Sequence, residues 1–123
     1  MLASYNATCC VSGLRHDKLV IASHIVPWCH DTHNRLNPQN GLCLSALHDR
    51  AYDQGLMTVL PDDFTVRVSP ALHARSDDRF IADALLRYDG APITLPERFR
   101  PAPEFLARHA VRFGFMRGQV LNR

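Results

Sequence analysis

The amino-acid sequence predicts an α+β fold, with a β-hairpin feeding a short helix, then a further β-hairpin and a C-terminal helix. Three observations predict it. An apolar, β-branched run, "LVIASHIVP", is cut off at Pro27 and followed, after a polar stretch, by a second short apolar run, "GLCLS". Directly behind that run, "SALHDRAYDQG" opens on a hydroxyl cap at Ser45 and stops at Gly55. Further on, "LMTVL" and "FTVRVS" flank the acidic turn "PDD", and "PAPEFLARHAVRFG" opens on Pro103 and ends near Gly114.

In chain order, a turn at Ser12 and Gly13 leads into a strand over residues 19–26, which Pro27 ends. Residues 28–40 are rich in Asn, Asp, His and Pro and read as a polar loop. Loops of that length in a small domain usually carry function or are disordered. A second strand covers residues 41–45, and a helix of two to three turns covers about residues 46–54. The second hairpin follows over residues 56–69. "SDDRFIADALLRY" reads as a helix with Phe80, Ala84 and Leu85 at helical spacing, and "YDGAPITLP" as extended chain. The expected organisation is one domain over residues 1–123, with a core over about 9–60 and a C-terminal extension over about 70–123.

A chain of 123 residues with 46% apolar and 21% charged side chains has the composition of an ordinary globular protein. No apolar stretch is long enough to span a bilayer, and "MLASYNATCC" lacks the basic and apolar regions of a signal peptide. The expectation is a cytoplasmic protein with no membrane partner and with its four cysteines reduced. A structural zinc on Cys10, Cys29 and Cys43 is a weaker alternative, because paired Cys-x-x-Cys knuckles are absent. Charge is unevenly spread: residues 90–123 carry six arginines against Glu97 and Glu104, which offers a surface for phosphate.

The chemistry concentrates between residues 19 and 55, which hold four of the seven histidines. On the helix, Asp49 and Asp53 are four apart and share a face, as do His48 and Tyr52. Two carboxylates one turn apart suit a hard cation such as Mg²⁺ or Mn²⁺. With His48 in place of Asp49 the set softens toward Mn²⁺, Ni²⁺ or Zn²⁺. His24 stands in the middle of an apolar strand, where valine would fit the pattern. Next to a metal-binding helix, a neutral imidazole can take a proton from a water attacking a phosphodiester. Asn40 can hold such an imidazole in one tautomer by accepting its other N–H.

"ASHIVPW" followed by "NRLNPQNGLCLSALHDRAYDQGL" resembles the HNH endonucleases of the ββα-metal superfamily, in the branch found in bacterial restriction and DNA-defence proteins. "LPERFRPAPEFLARH" is similar to the tail of that branch, so the resemblance covers most of the chain. It implies a ββα-metal core and a metal-dependent DNA endonuclease using one divalent cation. His24 would be the general base, and Asn40 the middle Asn that orients it or shapes the loop. Asp49, nine residues after that Asn, would be the helical metal ligand, with His48 and Asp53 as the other candidates. DNA is the implied partner, with Arg35 and Arg50 as phosphate-binding candidates and a second copy or a fused or partner domain for targeting. The competing class is a catalytically inactive, nuclease-derived DNA-binding or scaffold module, and Ser23 is the feature that favours it, because many relatives carry Asp or His there. Trp28 and Tyr52 read as packing residues, His30 and His33 as solvated loop residues, and His16, His73 and His109 are given no role.

Overall fold

The computed structural model describes residues 2–27, 33 and 36–117. Strand β1 (Val20–His24) pairs antiparallel with β2 (Gly41–Ser45), Val20 opposite Ser45 and His24 opposite Gly41. The ladder gains one more bond, from the Ile25 N–H to the Asn40 carbonyl at 3.2 Å. β1 is shorter than the apolar run, because the backbone of Val26 is claimed by a side chain rather than by the opposite strand: Asn40 bonds both its N–H and its carbonyl. β2 is buried at all five positions, so it carries apolar residues on both faces instead of alternating.

Helix α1 (Ala46–Asp53) follows β2 without a linking loop. Ser45 caps it, its hydroxyl accepting from the His48 N–H at 3.1 Å. At the other end, Leu56 N–H bonds the Ala51 carbonyl and Gly55 N–H the Tyr52 carbonyl, the paired bonds of a Schellman motif. That motif needs a left-handed residue, and Gly55 has φ +73°. A Cβ there would also lie 2.2 Å from Cδ1 of Phe113, so the position is closed to side chains twice over.

Strands β3 (Met57–Val59) and β4 (Val66–Val68) form a separate two-stranded sheet. Two short helices follow: α2 (Pro70–His73), capped by Ser69, and α3 (Arg79–Ala84), capped by Asp78. The helix expected over "SDDRFIADALLRY" breaks at Leu85 into a 3₁₀ turn, Leu86–Tyr88. The break turns Leu85 into the core and leaves Phe80 70% exposed. It also frees the Ala84 carbonyl to accept a bond from His48 at 2.8 Å.

Helix α4 (Pro103–Arg112) packs against β3 and buries Phe105, Leu106 and Ala110. Cys9, Cys10 and Cys43 are buried free thiols, while Trp28, Cys29, His30 and Arg35 lie outside the described residues. Mixed helices and antiparallel hairpins make this an α+β fold with a ββα core. Among the described residues, no helix is long and apolar enough to cross a membrane.

Candidate active site

The ββα unit builds a cleft of about 260 Å³ where the end of β1 meets α1. Ser23, His24, Asp49, Asp53, His109 and Arg112 are among its lining residues. His24 is the last residue of β1, so the strand fixes its backbone while its side chain is exposed. The neighbouring Ser23 is buried, and its hydroxyl donates a hydrogen bond to Oδ1 of Asp49. That bond ties the first carboxylate of α1 to the strand that carries the imidazole. Asp53, one turn further along α1, is exposed at the cleft.

Asn40 is fully buried beneath this arrangement. Its Oδ1 accepts from the Val26 N–H at 2.8 Å and its Nδ2 donates to the Val26 carbonyl at 2.9 Å. The amide therefore clamps the chain two residues beyond His24.

The structure does not bring His48 to this group. Its Nε2 lies 2.8 Å from the Ala84 carbonyl, which can only accept, so Nε2 carries the proton. Nδ1 must then accept from the Ser45 hydroxyl at 2.6 Å. The ring is buried, edge-on to Tyr88, and both its nitrogens are engaged in the core. Adjacent helix positions point about 100° apart, and Asp49, not His48, is the one that faces the cleft. Arg50 is an exposed residue of α1 and does not line the cleft; Arg35 falls outside the described residues.

Two lining residues, His109 and Arg112, come from α4; His109 was assigned no role from the sequence, and Arg112 was read only as one of the six arginines of residues 90–123 that offer a surface for phosphate. The signal for His109 was its position on the same helical stripe as Phe105, Leu106 and Ala110. Its Nε2–H donates to the Tyr52 carbonyl at 2.9 Å, and Nδ1 accepts from the Thr58 hydroxyl at 2.8 Å. The ring stacks on Tyr52 with centroids 3.6 Å apart. Burial lowers the pKa of His109 to about 4, against an opposing contribution from the Tyr52 carbonyl; Arg112 lowers it further and Asp53 raises it.

This has a consequence for stability. Between pH 6.5 and about 4 the unfolded chain binds a proton that folded His109 refuses. Stability is therefore full above pH 6.5 and declines as the pH falls toward 4, by up to about 3 kcal/mol. Thermal melts from pH 7.5 to 4 on wild type and His109→Gln should show a steeper acid decline in the wild type. Parallel profiles would rule out His109 as the source.

Asp49 and Asp53 also define what the cleft can hold. Among the described residues no three His, Cys, Asp or Glu side chains converge as a metal-binding group. A two-carboxylate edge suits a cation that keeps several waters and takes the rest of its shell from substrate phosphate, the habit of Mg²⁺. It does not suit the closed tetrahedral set of structural zinc. In the zinc alternative, Cys29 lies outside the described residues.

No curated protein matches the chain. Residues 9–60 match the model of a family described as HNH endonuclease, whose members act on DNA and generally use a divalent metal. The match takes in β1, β2, α1 and β3, and so His24, Asn40, Asp49 and Asp53. Over residues 9–60 the chain is similar to the HNH endonuclease family.

Proposed function

We propose that the chain is a metal-dependent DNA endonuclease, with His24 as general base and Asp49 and Asp53 holding a single divalent cation, Mg²⁺ or Mn²⁺. The observation that carries this reading is that His24 lines the same cleft as Asp49 and Asp53, in a segment similar to a nuclease family. His24 takes a proton from water as the water oxygen bonds to phosphorus and the bond to the 3′ oxygen breaks. Ser23 positions Asp49 through its hydroxyl, and Asn40 keeps the chain after His24 from shifting. The cation, when bound, neutralises charge on the phosphate and on the leaving oxygen. In this reading one domain spans residues 1–123, with its chemistry over about 9–60 and residues from about 70 onward completing the cleft. A role in restriction or DNA defence, and targeting by a second copy or a fused or partner domain, extend the proposal on resemblance alone.

Cleavage of supercoiled plasmid with Mg²⁺, Mn²⁺, Ni²⁺ or EDTA tests it. Wild type should nick or linearise the plasmid with Mg²⁺ or Mn²⁺ and lose all activity in EDTA. Asp49→Asn and Asp53→Asn should each raise the metal concentration for half-maximal cutting by about tenfold or more. Cutting that survives EDTA and both substitutions would refute the metal assignment. A second reading, a DNA-binding module without chemistry, is favoured by Ser23, which stands where the family resemblance leads to the expectation of an Asp or His ligand. It predicts binding without cutting under every metal.

A further inference from the structure

The cleft at Asp49 and Asp53 does not end at His24. A second cleft, also about 260 Å³, adjoins it and shares Ile25, Pro27, His109 and Arg112 with the first, its far side bounded by Arg108. Together they form a groove in which Arg112 lines the same part as the two carboxylates, while Arg108, one helical turn back on α4, lines only the second part. A groove with arginines along one wall suits the sugar-phosphate backbone of a nucleic acid.

We propose that Arg112, with Arg108 beside it, receives the DNA phosphate adjoining the scissile one, so that the bound strand runs from the Asp49–Asp53 edge past His24 to α4. This rests on the nuclease reading of the same cleft. It assigns a substrate contact to a helix that lies wholly outside the family match.

Arg112 is an exposed residue held by packing. Its Cζ lies 4.6 Å over the Phe113 ring, Phe113 tilts against His109 at 4.8 Å, and His109 stacks on Tyr52. Tyr52 belongs to α1, the helix of Asp49 and Asp53, so a column of rings fixes the guanidinium relative to the carboxylates. Phe113 is seated in the space that Gly55 leaves at the end of α1. Arg112 and Asp53 both act on the charge of His109, which puts the basic and acidic groups within electrostatic reach of one ring. A guanidinium over a ring uses its face for that contact, while its N–H donors lie in its plane, where a phosphate can be gripped by two of them.

The test compares wild type, Arg112→Gln, Arg112→Lys and, as a charge control on α3, Arg79→Gln. Binding of a labelled 30-bp duplex is measured in EDTA across a salt series, cleavage of the same duplex in Mn²⁺, and Tm for each protein. Arg112→Gln should weaken binding about tenfold and lower the log–log salt slope by about 1, at unchanged Tm. In cleavage it should raise KM more than it lowers kcat, and Arg112→Lys should recover part of the loss. If Arg112→Gln binds and cuts no worse than Arg79→Gln while wild type cuts, the phosphate assignment is wrong and the nuclease reading stands. If wild type does not cut but Arg112→Gln still loses binding and slope relative to Arg79→Gln, the groove stands and the hydrolytic reading falls.

Discussion

His24→Ala is expected to slow plasmid nicking by about 10²- to 10⁴-fold, the range over which a positioned general base acts. Affinity for DNA and thermal stability should stay where they are. Stability is spared because His24 is exposed at the end of β1, so truncation removes no side chain from the core. In the proposed reading arginines and not His24 hold the phosphates, so affinity measured without metal is expected to be spared. A single-turnover rate at saturating enzyme, with a binding isotherm in EDTA and a melt, separates the three quantities. Equal rates for wild type and variant, with metal dependence intact, would move the base to another residue. Loss of rate together with several degrees of Tm would mean that the imidazole acts through the fold.

Asn40→Ala is expected to cost about 2–6 kcal/mol of folding stability. The amide is the partner of both the N–H and the carbonyl of Val26, and Val26 is itself buried. Truncation strands two buried backbone groups, each costing about 1–3 kcal/mol when left without a partner. Asn40→Asp divides the effect: it keeps an acceptor for the Val26 N–H and loses the donor to the carbonyl, so it should fall between wild type and Ala. Urea titration of the three proteins gives the order directly. A cost below about 1 kcal/mol for Asn40→Ala would mean that water replaces the amide at Val26. Cleavage assayed well below each midpoint should still be reduced, because the chain two residues beyond His24 loses its clamp.

The hairpin and helix of the site were readable because their signals are local. Ser45 and Gly55 bracket α1 with a hydroxyl and a left-handed turn, and Pro27 bounds the first apolar run. The four-residue spacing of Asp49 and Asp53 already set them on one face, and both line the cleft. That the His48 ring turns away from the cleft was not readable. The ring is held by the Ala84 carbonyl, which lies far along the chain and is free to accept because α3 breaks at Leu85. His109 and Arg112 reach the cleft through the docking of α4 on β3 and on Gly55, a tertiary event with no local mark. The small helix α2 did have a mark, Ser69 followed by Pro70, but at four residues it is too short for any periodicity.

The place of α4 in the chain also bears on biosynthesis. α4 is the last-translated of the described helices, and it brings fully buried Leu106 and Ala110 to the core and Arg112 to the cleft. While residues 103–112 are still inside the ribosome, the nascent chain already carries the imidazole and both carboxylates, on a core that lacks those side chains. Chains fold from the N-terminus as they emerge, so the cleft gains its α4 wall only after residues 103–112 have left the ribosome.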